Sequence, residues 1–229
     1  MRAIIWFILA LLVSNLATAY FVKKYSIYRY RDRDMSSAMQ SMSRPEGPFL
    51  VIMGDSLTNN AHFPSQICGY RTINMGIDGA KASTFIQYAE QMSSSNLHPS
   101  LVVVALGVND AIQTGGSDFK DSLGLLLQNL PRSSLAITTA FQKVASIDTI
   151  NDELRKAANR KDAVLIETEN LGILTSDGVH PTHASQPKWE NAIVSGINAQ
   201  IRVCRIVKTG LIRQVEQALG QGHAGYVIA

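Results

Sequence analysis

The sequence predicts an α/β domain, a three-layer α/β/α sandwich around a central parallel sheet, preceded by an N-terminal hydrophobic helix. Three observations carry this expectation. Short, uninterrupted apolar runs recur from residue 49 onward, stretches of helical periodicity fall between them, and a single 20-residue apolar run, residues 3 to 22, stands at the N-terminus.

That first run, "AIIWFILALLVSNLATAYFV", is about 30 Å long as a helix, enough to cross a bilayer. Residues 1 to 22 are therefore expected to be a transmembrane anchor or a signal peptide. The signal-peptide reading has Arg2 as n-region, Ala3 to Val13 as h-region and an A-x-A cleavage motif at Ala17-Thr18-Ala19. Hydrophobicity continues past that motif through Tyr20, Phe21 and Val22, which favours the anchor. An extracytoplasmic location is expected for the folded domain, with secretion after cleavage or an anchor facing the cytoplasm as alternatives. Lys23, Lys24, Arg29, Arg31 and Arg33 pull toward the cytoplasm just after the run, while Arg2 pulls the other end the same way.

Residues 23 to 48, ending "SRPEGP", are charged, rich in Ser and Met and broken by proline, and read as a stalk. The domain is expected over 49 to 207. Within it "FLVIM" (49 to 53), "TIN" (72 to 74), "LVVVAL" (101 to 106), "LAITTA" (135 to 140) and "AVLIE" (163 to 167) read as strands. Their Val/Ile/Leu content without polar alternation implies strands covered on both faces. Helices are expected near 80 to 94, 118 to 129, 147 to 160 and 186 to 206. In the third, acidic residues precede basic ones, in the sense that complements a helix dipole. In the last, Trp189, Ile193, Ile197 and Ile201 form one apolar face, which reads as core. Residues 208 to 229 are a Gly-containing tail without an assigned role, and no internal repeat is visible.

Composition narrows the function. The net charge is +3, but residues 1 to 48 hold seven Lys or Arg against three Asp or Glu, so the rest of the chain sums to about −1. A nucleic-acid-binding body, which needs clustered positive charge on the folded domain, is excluded. The two cysteines, Cys68 and Cys204, could pair in an oxidising compartment, although isolated cysteines far apart in sequence are more often apolar fillers.

In a parallel sheet, ligands bind beyond the carboxyl ends of the strands, so the residues just after each apolar run are the informative ones. They are Gly54-Asp55-Ser56-Leu57, then Asn74-Met75-Gly76-Ile77-Asp78-Gly79, then Gly107-Val108-Asn109-Asp110, and late in the chain Asp177-Gly178-Val179-His180-Pro181. Each alone has a bland reading as a helix cap, a turn glycine or a loop residue. Together and in this order they resemble the four signature blocks of the SGNH hydrolases, the GDSL esterase/lipase family, over roughly residues 49 to 205.

The resemblance implies a flavodoxin-like fold and a serine esterase acting through an acyl-enzyme, with Ser56 as nucleophile, His180 as base and Asp177 as its orienting partner. It assigns the oxyanion donors to the Ser56 N–H, the Gly76 N–H and the Asn109 side chain. No cofactor and no metal is required. The expected substrate is a small acyl ester such as acetyl, on a polysaccharide or envelope glycan. The alternatives are a lipase, thioesterase or lysophospholipase acting on lipid esters, an acyltransferase, and a non-catalytic glycan- or partner-binding domain.

The chemistry fits these residue types. A serine hydroxyl is a weak nucleophile near neutral pH and needs a base within hydrogen-bond reach. The base in turn needs its tautomer fixed, and the tetrahedral intermediate needs donors already aimed at it. Asp55 and Asp110 read as loop braces. Asp78 and Lys81 are charged neighbours of the expected oxyanion donor and bear on substrate choice. His183 completes a D-x-x-H-x-x-H pattern with Asp177 and His180, but without a further ligand cluster it does not read as a metal site. His62, His98 and His223 read as surface or loop residues.

Overall fold

A computed structural model describes residues 2–44 and 46–201, with the side chains of 2–5, 7–10 and 23–34 outside the description. The chain forms two compact units that divide between Ser43 and Arg44.

The first unit is one helix, α1 (Arg2–Met42). Its 41 residues correspond to about 60 Å at 1.5 Å per residue. The helix continues through residues 23 to 42, most of the segment expected as a stalk, because no proline or glycine interrupts the chain before Pro45. Large apolar side chains from Leu11 to Phe21 are exposed. Among the described residues no helix is long and apolar enough to cross a membrane, so the span expected at 3 to 22 is not supported.

The second unit carries the sheet. Its strands are β1 (Phe49–Gly54), β2 (Gln66–Ile67), β3 (Tyr70–Gly76), β4 (Leu101–Ala105), β5 (Ser134–Thr138) and β6 (Val164–Ile166). They lie in the order β2-β3-β1-β4-β5-β6. All neighbours are parallel except β2, which is antiparallel to β3. The sheet is therefore mostly rather than wholly parallel. Two residues of β2 carry too little pattern to announce a strand, and the chain reverses into β3 through Cys68 and Gly69, both at positive φ.

The helices are α2 (Ser56–Asn59), a 3₁₀ turn at Ala82–Phe85 leading into α3 (Ile86–Ser94), α4 (Val108–Thr114), α5 (Phe119–Asn129), α6 (Ile147–Arg160) and α7 (Gln186–Gln200). The stretch expected as one helix near 80 to 94 is thus a tight turn followed by a shorter helix. The expected last helix ends at Gln200, and residues 202–206 lie outside the described residues, as does the tail at 208 to 229.

Leu50 and Ile52 of β1, Leu101 and Val103 of β4, and Ala136 of β5 pack with Trp189, Ile193, Ile197 and Ile201 on one side of the sheet. Alternation along the strands sends Val51, Met53, Val102, Val104 and Ile137 to the opposite face, and all of them are fully buried. Burial on both faces is what the unbroken apolar runs require.

The register of the central strands positions the site. Gly54 stands opposite Gly76 on one side and Ala105 on the other, so β1, β3 and β4 end level with one another. The chain leaves β1 for β3 on one flank and later returns to β4 on the other. That reversal opens a crevice at the strand ends, where the loops after β1, β3 and β4 meet.

Candidate active site

The chain leaves β1 at Gly54 and turns at once into α2, whose first residue is Ser56. The turn is held from inside by Asp55, which caps the helix by accepting the Leu57 N–H at 2.9 Å. Asp55 is only 1% exposed. Burial pushes its carboxyl up to about 7, against the opposing pull of the Leu57 amide and of His180. The brace expected of this residue is therefore present.

The turn at 176 to 180 is a small closed structure. Thr175 and Pro181 bridge its base, and the Ser176 N–H donates to the His180 carbonyl at 2.9 Å. Asp177 Oδ1 accepts from the backbone N–H groups of Val179 at 2.9 Å and His180 at 2.7 Å. This leaves Oδ2 facing the imidazole, 2.7 Å from His180 Nδ1. The His180 hydrogen bond, followed by those of the two amides, holds the Asp177 carboxyl well below the usual carboxylate range.

An ionised carboxylate only accepts, so the proton between this pair sits on Nδ1, and the Nε2 of a neutral ring is an acceptor. That nitrogen lies 2.8 Å from Ser56 Oγ, 124 positions away in sequence. Ser56, His180 and Asp177 thus form one continuous hydrogen-bonded chain, and the arrangement can draw a proton from the serine hydroxyl.

Three donors lie around the strand ends. The Ser56 N–H is the first amide of α2 and has no intrahelical acceptor. Asn109, in the first turn of α4, has a buried Nδ2 without a hydrogen-bond partner. The third is Gly79, at φ +68°, whose N–H meets no acceptor among the described residues. Gln113 ties this glycine to Asn109, with its Nε2 donating to the Gly79 carbonyl at 3.1 Å and to Asn109 Oδ1 at 3.4 Å.

Gly76, the glycine expected as oxyanion donor, is otherwise engaged. Its N–H donates to Asn74 Oδ1 at 2.8 Å, while Asn74 Nδ2 donates to the Thr58 carbonyl at 2.7 Å. A Cβ at position 76 would sit 2.1 Å from the Asn59 backbone nitrogen. Gly76 is a glycine so that β3 can pass under α2, and its donor is spent. The signal was readable in Asn74-Met75-Gly76, since an asparagine side chain habitually accepts from the amide two residues on.

The remaining residues take structural places. Asp110 is buried and accepts the Ala82 N–H through both oxygens at 3.3 and 3.2 Å, and burial pushes it up to about 6. Asp78 accepts from Asn59 Nδ2 at 2.9 Å, and Lys81 Nζ lies 3.8 Å from Asp118. No group of three His, Cys, Asp or Glu able to hold a metal occurs among the described residues. His62 lies beside Glu190, His98 Nε2 is 2.9 Å from Asn96 Oδ1, and His223 is outside the described residues. Trp189 is core, 5.9 Å from the Phe63 ring. Cys68 is not a filler: it is disulfide-bonded, and the other cysteine of the sequence, Cys204, lies outside the described residues.

Neither family models nor curated proteins give a match to this chain. Solved structures do. A GDSL-like lipase from Bacteroides thetaiotaomicron superposes with a TM-score of 0.57 at 17% identity, covering 76% of this chain and 98% of the other. A member of the lipolytic G-D-S-L family from Veillonella parvula gives 0.53 at 16% identity over 65% and 97%. The chain has the SGNH hydrolase fold. A carbohydrate esterase family 3 structure from Talaromyces cellulolyticus shares it at a TM-score of 0.51 and 14% identity, over 66% of this chain and 96% of that one. At such identities the SGNH likeness is one of architecture, and the chemistry has to be read from the side chains themselves.

Proposed function

We propose that this chain is a serine ester hydrolase, and the observation that carries the reading is the unbroken Asp177–His180–Ser56 hydrogen-bonded chain at the switch point of the sheet. His180 Nε2 takes the Ser56 hydroxyl proton as Oγ attacks the acyl carbonyl. Asp177 holds the ring and offsets the imidazolium charge. The carbonyl oxygen, now an anion, is met by the Ser56 N–H, the Gly79 N–H and Asn109 Nδ2, each worth about 3 kcal/mol in a preorganised site. His180 then gives its proton to the departing alkoxide, leaving an acyl-Ser56. A water attacks that ester with His180 again as base, and the acid leaves.

The favoured substrate is a small acyl ester on a bulky alcohol such as a glycan. The His180 and Asp177 side chains are 41% and 54% exposed, so the leaving-group side lies open to a large molecule. The fold shared with a carbohydrate esterase agrees with this choice. Lipid esters are the second reading, supported by the exposed apolar side chains along α1 and by the shared fold with a GDSL-like lipase. An extracytoplasmic location fits the Cys68 disulfide, because such bonds persist in oxidising compartments. Protease accessibility on intact cells against lysed ones tests it.

The test of activity is Ser56→Ala on p-nitrophenyl acetate. Hydrolysis should be abolished with an unchanged circular dichroism spectrum and melting temperature, and wild-type turnover in the variant would remove Ser56 from the chemistry. An ester series from acetyl to decanoyl separates the two substrate readings: falling kcat/KM with length supports the small acyl group, and rising kcat/KM the lipid.

A further inference from the structure

We infer that Gln142 is a positioning residue for His180, acting from the domain interior through the Val179 carbonyl. The inference deepens the hydrolase reading above and rests on it. Gln142 follows β5 and is 2% exposed, which is unusual for a glutamine. Its Nε2 donates to the Val179 carbonyl at 3.0 Å. The assignment of that nitrogen is forced, because a carbonyl can only accept.

The His180 turn needs such a hold. Residues 177 and 178 are exposed, and the hydrogen bonds of Asp177 and Ser176 all close within the turn itself. Among the described residues, only two hydrogen bonds tie residues 176 to 180 to the rest of the domain. One is the Ser56–His180 contact and the other is Gln142 to Val179. The first cannot hold the ring through the reaction, because it is the bond whose proton moves. The second involves no group that gains or loses a proton in the reaction.

The anchor on which Gln142 stands is firm. Asn151 of α6 accepts from the Ala140 N–H at 2.7 Å and donates to the Ala140 carbonyl at 2.9 Å, clamping the loop two residues before it. The Thr139 N–H donates to the Ile166 carbonyl at 3.0 Å.

A second observation points the same way. Gln142 Oε1 is buried without a hydrogen-bond partner. An amide with one end unsatisfied is costly, and it is retained where the other end does something an apolar residue of the same shape cannot. The small cavity lined by Gln142 is also lined by Asp55, Leu57 and Trp189. One polar side chain of this cavity caps the turn that carries Ser56, and another clamps the turn that carries His180. The two reacting side chains are held from a common interior.

The experiment uses the full-length chain and two variants. Gln142→Met keeps length and removes the bond. It should lower kcat on p-nitrophenyl acetate roughly 10- to 100-fold with KM changed less than about twofold, the signature of a misplaced base rather than lost binding. The His180 Nδ1–H proton, expected downfield in the wild type from its short bond to Asp177, should broaden or move upfield. Gln142→Glu can still donate when its carboxyl is neutral and so should recover kcat toward the acid side, losing it through an added titration as the pH rises. Unchanged kcat and an unchanged His180 resonance in Gln142→Met would overturn the inference. So would a Gln142→Glu profile that merely parallels the wild type at every pH, and this second variant decides the matter if the first fails to fold. Ser56→Ala serves as control: if it hydrolyses like the wild type, the hydrolase reading falls while the resonance still reports on Gln142.

Discussion

Asp55→Asn should make the domain more stable, and by an amount that grows with pH. The buried carboxyl of Asp55 titrates near 7 in the folded chain against an ordinary value of 3.8. The folded state therefore holds a proton between about pH 4 and pH 7 that the unfolded chain has released. Stability falls as pH rises wherever the folded state binds more protons, so the wild type loses stability across that window. Roughly three pH units at 1.36 kcal/mol each give a loss of about 4 kcal/mol, complete above pH 7. Asparagine keeps an oxygen to accept the Leu57 N–H and has no charge to bury. The two proteins should be equally stable near pH 4 and differ by up to about 4 kcal/mol at pH 8. Asp110, also pushed up by burial, adds a slope of its own to both proteins, and its charge is among the groups that raise Asp55, so the measured difference includes the repulsion between the two carboxyls. Urea unfolding followed by tryptophan fluorescence from pH 4.5 to 8.5 measures it. A constant difference between the curves would refute the claim that Asp55 is a desolvated carboxyl.

Other outcomes concern the donors. Asn109→Ala should lower kcat by about 10²- to 10³-fold with KM and melting temperature nearly unchanged, because its buried Nδ2 has no other partner to lose. The two glycines should separate cleanly. Gly76→Ala forces a Cβ to within 2.1 Å of the Asn59 backbone and should destabilise the fold by several kcal/mol, seen in urea unfolding. At Gly79 the nearest atom to an added methyl would be Gln113 Nε2 at 4.0 Å, so Gly79→Ala costs only the left-handed backbone penalty of about 1–2 kcal/mol. Alanine keeps the N–H donor at 79, and equal losses of stability in the two variants would contradict the division of roles.

Much of the architecture is legible in the sequence because it depends on patterns shorter than the contacts they create. The runs at 49 to 53 and 101 to 106 are apolar on both faces and become the two central strands, and the helix expected at 147 to 160 is found at Ile147–Arg160. The meeting of Ser56, Asp177 and His180 is legible through the resemblance of four ordered blocks to the GDSL signature, since each block alone reads equally well as a cap, a turn or a loop. The misses have physical causes as well. The helices α2 and α4 are four and seven residues long, too short for a period to emerge, and tertiary contacts make them.

Gly76 stands out over Gly79 in the sequence because a sequence shows a glycine but not what fills the space beside it. The passage of α2 over β3 reveals that Gly76 is needed for packing, while the capture of its N–H by Asn74 is a local bond that the Asn-x-Gly spacing already hints at. Gln142 leaves no trace in the pattern of residues. Its partner is a backbone carbonyl 37 positions away, and a backbone partner imprints no residue type. The charge of the segment at 23 to 42 and the proline beyond it suggest a stalk, yet its residues are compatible with a helix and continue one.

The most direct measurement is mass spectrometry of the full-length protein after reaction with a fluorophosphonate probe. An assembled site predicts one stoichiometric adduct on the peptide containing Ser56, formed quickly at neutral pH and lost in His180→Ala. No adduct, or an adduct on a different serine, would contradict the claim that Ser56, His180 and Asp177 act as one nucleophilic unit.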